Sequence, residues 1–381
     1  MSQQDARTAS NPELVDELRA ILEREGRITF AHFMRDALYH PEHGYYLNAA
    51  ARPGPSGDFL TAPEADPIFG QTLTRQIAQF DELLGRPDPF TLVEYGAGSG
   101  TLALAILDAL SLDCPALLER FRYQPVEINE ARAAELRGRL EEAGYGEHLS
   151  MMNEKPVEGC VLANEFLDAL PVHRIERKNG KIRERYVVWR DGWFAEEPGP
   201  LSIEELARYL KEGDIELVDG QLAEINLGLS DWVAQVVGRL RRGYVLAIDY
   251  GYPAEKLYGP DYPQGTLRTY AQHAVGGDPF SAVGKQDLTA HVDFSALQRA
   301  AREQGLQLLG FTTQADFLGG TGIGELLVRT QQEPGMSYQE YVGVRSAVIR
   351  MIDPGAMGRF GVLILGRDVP ASPLIGLSAS F

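Results

Sequence analysis

One stretch of this 381-residue sequence decides its fold: Leu92-Val93-Glu94-Tyr95-Gly96-Ala97-Gly98-Ser99-Gly100-Thr101-Leu102. A short apolar run ends in an acidic residue, glycines then alternate with small residues, and a helix-forming run continues to Leu107. This order predicts a strand, a glycine turn and a helix. Glycine is needed in such a turn because a Cβ atom would occupy a ligand's space or forbid the backbone angles. The stretch therefore predicts an α/β domain whose backbone approaches a nucleotide-like ligand.

The spacing of the glycines bears on which ligand is bound. Read from Gly96, the loop fails the G-x-G-x-x-G/A pattern of dinucleotide-binding proteins, because Thr101 stands at its last position. Read from Gly98, the loop satisfies that pattern, so an NAD(P)-dependent oxidoreductase is an alternative. However, the turn begins directly after the strand, and E-x-G-x-G-x-G is the form of this loop in S-adenosylmethionine methyltransferases. We therefore predict S-adenosyl-L-methionine as the cofactor.

Composition and charge limit the class of protein. Hydrophobic residues make up 44% of the chain and charged residues 24%, as in an ordinary soluble globular protein. The 54 acidic residues outnumber the 36 basic ones, and the resulting net charge of −18 argues against nucleic-acid binding. The two cysteines lie far apart and form neither a zinc ribbon nor a disulfide framework. We predict no metal site.

The sequence also gives an expectation about location. No apolar run reaches the roughly 18 residues that a membrane span requires. The N-terminus carries Asp5, Glu13, Asp16 and Glu17 and has no apolar core, so it is neither a secretory signal nor an acid-poor transit peptide. We therefore predict a cytoplasmic protein without membrane insertion.

Changes of pattern along the chain predict its domains. Residues 1–85 are expected to form a helical N-terminal extension with a lid loop rich in Gly, Pro and aromatic residues. Residues 86–381 are expected to form a Rossmann-like α/β domain. Within that domain, the pattern changes from His173 to Phe194 to strand alternation around Asn179-Gly180, which is a hairpin signal, and helical stretches follow from Ser202 to Glu212 and from Ser230 to Arg242. We interpret residues 173–242 as an inserted, substrate-facing lobe.

Polar residues follow two further strands of the predicted sheet. Glu127 ends the strand after the glycine loop, where an acidic residue can accept both ribose hydroxyls. Asn164, Glu165 and Asp168 follow the next buried strand, and ligands in open α/β sheets lie beyond such carboxyl ends. Carboxylates there can hold a guanidinium group bidentately and orient its nitrogen towards a sulfonium methyl group. Helix capping by Asn164 is the competing interpretation.

Several rarer motifs recur along the chain. They are Leu38 to Tyr46, Gly57 to Phe59 with Thr61 to Glu64, Glu94 to Leu102, Ala163 to Val172, Asp249 to Gly251, Gly265 to Tyr270, and Asp287 to Phe294. With these motifs the chain resembles the MidA family of S-adenosylmethionine-dependent methyltransferases. The mitochondrial members of that family are protein arginine methyltransferases that assist assembly of respiratory complex I.

The resemblance implies a class I methyltransferase sheet, S-adenosyl-L-methionine as cofactor and an arginine of a partner protein as methyl acceptor. The family's Asn-Glu-x-x-Asp-Ala segment maps onto the catalytic candidates Asn164, Glu165 and Asp168. The candidate cofactor contacts are Asp58, Glu94, Gly96, Gly98, Gly100, Thr101 and Glu127. A subunit of respiratory complex I is the expected partner. An assembly chaperone without essential catalysis is a second alternative, and the sequence leaves the choice between a monomer and a homodimer open.

Overall fold

The computed structural model describes residues 3–47, 61–150, 155–271 and 274–378. Its helices are α1 (Gln3–Ala9), α2 (Pro12–Glu25), α3 (Phe30–Tyr39), α4 (Ala62–Ala65), α5 (Ile68–Leu83), α6 (Thr101–Asp113), α7 (Pro115–Leu118), α8 (Glu130–Glu142), α9 (Glu204–Glu212), α10 (Gly228–Arg239), α11 (Ala254–Leu257), α12 (Phe294–Glu303), α13 (Gln314–Gly320), α14 (Ile323–Gln331) and α15 (Tyr338–Ile352). Its strands are β1 (Ile28–Thr29), β2 (Phe90–Tyr95), β3 (Phe121–Val126), β4 (Val157–Asn164), β5 (His173–Lys178), β6 (Lys181–Arg190), β7 (Trp193–Gly199), β8 (Leu222–Ile225), β9 (Leu240–Asp249), β10 (Gly251–Tyr252), β11 (Arg268–Ala271), β12 (Ala274–Gly276), β13 (Asp287–Thr289), β14 (Val292–Asp293), β15 (Gln307–Thr313) and β16 (Gly361–Arg367). Within the described ranges, no helix combines the length and the apolar character needed to cross a membrane.

These elements form two compact units. Unit 1 consists of Met1–Phe59, Leu167–Trp232 and Gly251–Arg299, and unit 2 consists of Leu60–Phe166, Val233–Tyr250 and Ala300–Phe381. This grouping differs from the predicted boundary at residue 85. The reason is strand pairing and packing: β1 pairs antiparallel with β6, whereas the apolar side chains of α5 belong to the core of unit 2. Unit 1 therefore joins the N-terminal helices to most of the predicted inserted lobe.

Unit 2 is built on a six-stranded sheet in the order β15-β16-β9-β4-β2-β3. The strands β3, β2, β4 and β9 run parallel to one another, whereas β16 and β15 are antiparallel to their neighbours. The chain places β3 on one side of β2 and β4 on the other, so the strand order reverses at β2. Ligands of open α/β sheets bind at such a reversal, beyond the carboxyl ends of the strands. This sheet confirms the predicted Rossmann-like fold.

The centre of the sheet of unit 2, formed by β2, β4, β9 and β16, consists of largely buried strands that are covered on both faces. Every residue of β2 is buried. Phe69, Leu73 and Phe80 of α5 are fully buried in the same core. The Phe80 ring stacks on Tyr244 of β9 at a centroid distance of 4.0 Å. This packing fixes the strand ends from which the candidate site is built.

Unit 1 contains an antiparallel sheet in which β1, β6, β5 and β8 are neighbours and β7 pairs with β6. The β5–β6 hairpin turns at Asn179 and Gly180, whose φ angles are 52° and 72°. Such angles suit an Asn-Gly turn, so the predicted hairpin is confirmed. Further pairings within unit 1 are β12-β11-β13 and β10-β14.

Candidate functional site

The glycine loop leaves the end of β2 and begins α6. Gly96, Gly98 and Gly100 have φ angles of 70°, 55° and 82°, in the left-handed region that residues with side chains rarely adopt. Gly100 is the N-cap of α6, and a Cβ atom there would lie 2.8 Å from Cγ of Leu136. Both the backbone angles and the packing therefore require glycine at Gly100.

Gly98 differs from Gly100 because open space surrounds it. Within the described part of the chain, the nearest atom to a Cβ built on Gly98 would be the carbonyl oxygen of Gly96, at 4.0 Å. The described residues do not fill that space, so a ligand can approach the backbone there. The loop therefore fits the predicted S-adenosyl-L-methionine.

Glu127 lies directly after β3, and its carboxylate accepts hydrogen bonds from the backbone of the glycine loop and of the segment after β3. The N–H of Gly98 donates to its Oε2 at 2.8 Å, and the N–H of Asn129 donates to its Oε1 at 2.8 Å. A carboxylate offers about four lone-pair positions, so these two bonds are compatible with further bonds from ribose hydroxyls. The structure places Glu127 at the strand end that the sequence predicted.

Arg139 of α8 is a site residue that the sequence did not predict. Its guanidinium donates at 3.1 Å to the carbonyl oxygen and Oγ of Ser99 and to Oγ1 of Thr101. Thr101, the first residue of α6, is thereby connected to α8. No sequence pattern indicated this role, because Arg139 contacts the glycine loop only once α8 packs beside that loop in the folded structure.

Glu94 of β2 is buried beneath the loop. Its side chain is 4% exposed, and the hydroxyl of Tyr123 donates to its Oε2 at 2.6 Å. Burial raises the pKa of Glu94 from 4.5 to about 7, against the lowering effect of the Tyr123 hydrogen bond, and the charge of Glu127 raises it further. The Glu94 carboxyl group therefore titrates near neutral pH.

We expect Glu94 to make the stability of the protein depend on pH. Because its folded-state pKa exceeds the ordinary value, its contribution is intact below pH 4.5 and is lost as pH rises through about 7. The difference between 4.5 and about 7, at about 1.36 kcal/mol per pKa unit, amounts to about 3 kcal/mol. Urea unfolding of the wild type and of Glu94→Gln from pH 4.5 to 8.5 should show the variant gaining about this amount relative to the wild type. A difference in unfolding free energy that stays constant with pH would contradict the assignment.

Glu165 lies immediately after β4 with an unusual backbone. Its φ angle is 49°, and its N–H donates to the carbonyl oxygen of Ile248 in β9 at 2.8 Å. Its Oε1 accepts from the N–H of Ala62 at 3.1 Å and from Nδ2 of Asn164 at 3.4 Å. Strained backbone of this kind persists where the surrounding structure fixes it, and it concentrates at functional sites.

Asn164 does not act as a helix cap. A cap would use Oδ1 to accept a backbone N–H, yet this buried atom has no hydrogen-bond partner within the described ranges. Its Nδ2 atom is directed to Glu165 instead. The orphan oxygen is a polar group at the carboxyl end of β4, which agrees with a binding role rather than with capping.

Asp249 completes this edge of the sheet and was not predicted as a site residue. It ends β9, is 1% exposed, and its Oδ2 accepts from the N–H of Phe166 at 3.1 Å. Its Oδ1 accepts from the N–H of Tyr250 at 2.9 Å. Asp249 therefore fixes the backbone that follows Glu165. The signal was present, because an apolar strand ends in this acidic residue as β2 does.

Two predicted residues, Asp168 and Asp58, are not among the described residues of unit 2. Asp168 is buried in unit 1, in the 3₁₀ helix Leu167–Ala169, and its carbonyl oxygen accepts from the N–H of Ala290 at 3.0 Å. Asp58 lies outside the described residues. Unit 2 contains the others, at or directly after the ends of β2, β3 and β4: Glu94, Gly96, Gly98, Gly100, Thr101, Glu127, Asn164 and Glu165.

Known proteins with similar sequences or structures agree with this geometry. A family model described as "Putative S-adenosyl-L-methionine-dependent methyltransferase" matches residues 72–312. The mitochondrial protein arginine methyltransferase NDUFAF7 homolog of Drosophila melanogaster is 29% identical over 96% of this chain and 88% of that protein. Human mitochondrial NDUFAF7, also named a protein arginine methyltransferase, is 28% identical over 89% of this chain and 80% of that protein. A crystal structure from Burkholderia thailandensis, described as "a COG1565 superfamily member and likely methyl transferase" bound to S-adenosyl-homocysteine, has a TM-score of 0.89 and 32% identity, over 99% of this chain and 97% of that one.

These relatives correct the predicted location. The NDUFAF7 proteins of Drosophila melanogaster, Xenopus tropicalis and Homo sapiens are all named as mitochondrial. The prediction of a cytoplasmic protein is contradicted by this finding and is wrong. It rested on the lack of a recognisable leader pattern, which is negative evidence only.

The choice between a methyltransferase and an oxidoreductase is also decided. The loop satisfies the methyltransferase pattern when it is read from Glu94 and the dinucleotide pattern when it is read from Gly98, so the sequence pattern alone could not separate the two functions. The family match covers β2, the loop and the strand ends that carry the candidate site, and the similar crystal structure binds a methyltransferase product. This chain belongs to the family of S-adenosyl-L-methionine-dependent methyltransferases.

Proposed function

We propose that this methyltransferase transfers the methyl group of S-adenosyl-L-methionine to an arginine side chain of a partner protein. The observation that carries the proposal is Glu165, a carboxylate that follows β4 in a strained conformation with a φ angle of 49°. A guanidinium group is planar and rich in N–H donors, and it pairs with a carboxylate in a defined orientation. The names of the relatives, which are protein arginine methyltransferases, support the same acceptor.

The protein's own task in this reaction is positioning. S-adenosyl-L-methionine supplies an electrophilic methyl group on a positively charged sulfur. We propose that its contacts come from Asp58, Glu94, Gly96, Gly98, Gly100, Thr101 and Glu127. Glu127 would accept ribose hydroxyls, and the glycines would let the backbone approach. Little acid–base catalysis is needed, so in-line orientation and charge complementarity supply most of the rate enhancement.

We propose that Asn164 and Glu165 orient the acceptor. The Glu165 carboxylate would pair with one edge of the guanidinium, and the orphan Oδ1 of Asn164 would accept a further N–H. Asp168 remains a proposed acceptor-binding residue, because it completes the Asn-Glu-x-x-Asp segment in the sequence.

The identity of the partner protein is proposed from the family resemblance and from the net charge of the chain. Residues 173–242 are the proposed substrate-facing segment, and a subunit of respiratory complex I is the proposed acceptor, as the family resemblance implies. The net charge of −18 supports an acceptor with a basic surface.

Isotope labelling tests this function directly. The purified protein is incubated with S-adenosyl-L-methionine carrying a deuterated methyl group and with an extract of source cells that lack this chain. We expect deuterated methylarginine on one or a few proteins, identified by mass spectrometry, and none when the enzyme is left out. Label confined to another residue type would exclude arginine as the acceptor. Partner binding without label, in the presence or absence of S-adenosyl-homocysteine, would instead indicate an assembly chaperone.

A further inference from the structure

Two acidic side chains flank the glycine loop of unit 2. Glu127 is bonded to the loop itself, because its Oε2 accepts from the N–H of Gly98 at 2.8 Å. Glu94 lies two residues before Gly96, on the buried strand that leads into the loop. The described residues leave open the space beside Gly98. A ligand that lies against this part of the loop therefore comes into the electrostatic field of both carboxyl groups.

Neither acid is paired with a positively charged side chain of the described residues. In those ranges, Glu94 accepts a hydrogen bond only from the hydroxyl of Tyr123, at 2.6 Å. Glu127 accepts only from backbone N–H groups, those of Gly98 and Asn129. Buried charges are normally paired, so two neighbouring acids without a cation favour a ligand that supplies the positive charge.

The elements around Glu94 bring no compensating charge to it. Its register partners are Pro125 of β3 and Leu162 of β4, neither of which titrates. The core that contains Tyr123 also contains the apolar Leu102 in the first turn of α6. From α8, the guanidinium of Arg139 donates to the loop and to the first residue of α6 at 3.1 Å. The titratable groups that act on Glu94 are therefore Tyr123 and Glu127.

Glu94 changes its charge near neutral pH. Burial raises its pKa from 4.5 to about 7, the hydrogen bond from Tyr123 opposes this rise, and the charge of Glu127 adds to it. At pH 7 about half of the molecules therefore carry a proton on Glu94. A positive charge that arrives nearby stabilises the carboxylate form and drives the release of that proton.

The donor and the product of methyl transfer differ in charge. S-adenosyl-L-methionine carries a positive sulfonium sulfur, whereas S-adenosyl-homocysteine has a neutral thioether, and the two molecules are otherwise the same apart from the methyl group. Two uncompensated carboxylates attract the sulfonium compound more strongly. This attraction is screened less in a buried site than in water, so it acts even without direct contact.

We propose that Glu94, together with Glu127, makes the cofactor site select the charged donor over the neutral product, and that protonation of Glu94 weakens this selection. The inference rests on the proposed cofactor contacts and not on the identity of the methyl acceptor. Glu94 is a specificity-determining residue, and Tyr123 is a positioning residue because its hydroxyl stabilises the ionised carboxylate. Inhibition by the product should therefore decrease as pH rises through neutrality.

Calorimetry with both compounds tests the selection without turnover. S-adenosyl-L-methionine and S-adenosyl-homocysteine are each titrated into the full chain between pH 5.5 and 8.5, with no methyl acceptor present. We expect the ratio of the product's Kd to the donor's Kd to rise about tenfold over this range in the wild type. The ratio should rise much less in Glu94→Gln. The variant also corrects for titration of the amino group that both compounds carry.

Proton release gives a second readout at pH 7. Calorimetry in buffers of different ionisation enthalpy counts the protons that each binding event releases. Donor binding should release about 0.4 protons more from the wild type than from Glu94→Gln, and product binding about the same number from both proteins. Tyr123→Phe removes a hydrogen bond to the carboxylate. It should therefore shift the midpoint of the selection to higher pH.

Asp293→Asn is the matched control. Asp293 of unit 1 is 2% exposed, accepts the hydroxyl of Tyr209 at 2.8 Å, and has a pKa that burial raises. It is thus a buried acid bonded to a tyrosine outside the cofactor site, and its replacement should leave the pH dependence of the ratio unchanged. Glu94→Gln removes a charge that is costly to bury, so it should remain folded above pH 7.

The outcomes separate the selection from the cofactor contacts on which it rests. Equal ratios in the wild type and Glu94→Gln at every pH, or equal proton release, would overturn the proposal. An unchanged midpoint in Tyr123→Phe would remove Tyr123 from it. If neither compound binds the wild type, or if Gly98→Ala binds both compounds like the wild type, the proposed contacts fail and the selection fails with them. A selection that depends on Glu94 without any methylated arginine would leave this inference standing and exclude the proposed acceptor.

Discussion

Replacing Glu165 by glutamine is expected to lower kcat for arginine methylation about 100-fold or more and to leave the affinity for S-adenosyl-homocysteine within about twofold. The substitution removes the negative charge but keeps the shape of the side chain. The Gln oxygen can still accept from the N–H of Ala62, which now donates to Oε1 of Glu165 at 3.1 Å. The strained backbone should therefore survive, and the loss should fall on orientation of the acceptor. Steady-state kinetics with the labelled acceptor, together with calorimetry, measure both quantities.

Glu158→Gln provides the control for this experiment. Glu158 lies near the opposite end of β4, with one oxygen 3.2 Å from NH2 of Arg241, and so has the same chemistry outside the candidate site. Its replacement should leave kcat unchanged. If Glu165→Gln turns over the true substrate at the wild-type rate, Glu165 takes no part in the mechanism of this chain, and the names of the relatives do not change that result.

The parts of the site that could be predicted are those fixed by local constraints. Gly96, Gly98 and Gly100 were recognisable because positive φ angles after a strand demand glycine. Asn164 was recognisable because the apolar run of β4 ends at it, and Glu127 because it follows the next predicted strand after the glycine loop; parallel strands place such ends on one edge.

The parts that escaped prediction depend on contacts distant in sequence. The strand β1 has only two residues, Ile28–Thr29, and pairs with Val187 and Tyr186, so no periodic pattern could show it. The predicted boundary at residue 85 differs from the observed units for that reason. Asp249 holds the N–H of Phe166, 83 positions away in sequence. Nor could the φ angle of Glu165 be read from residue type, because it results from the fit of β4 against β9 rather than from local preference.

Gly98→Ala is expected to weaken the affinity for S-adenosyl-homocysteine about 30-fold or more, with only a modest loss of stability. Among the residues that the structure describes, the added Cβ would meet no atom closer than the Gly96 carbonyl oxygen at 4.0 Å, so it fills space that these residues leave open. Its φ angle of 55° makes alanine cost about 1–2 kcal/mol in the folded state. Calorimetry with S-adenosyl-homocysteine and urea unfolding measure the two effects separately.

Gly144→Ala separates ligand exclusion from backbone strain. Gly144 follows α8 in the same unit and has a φ angle of 84°, and no atom of the described ranges lies within 4 Å of its Cβ position. Alanine there should lower stability by about the same 1–2 kcal/mol and leave cofactor affinity unchanged. A ligand that lies against the backbone of the loop predicts a loss of affinity at Gly98 alone. Equal affinities for the two variants would mean that the open space at Gly98 is not where the cofactor binds, and the assignment of the loop would fail despite its sequence pattern.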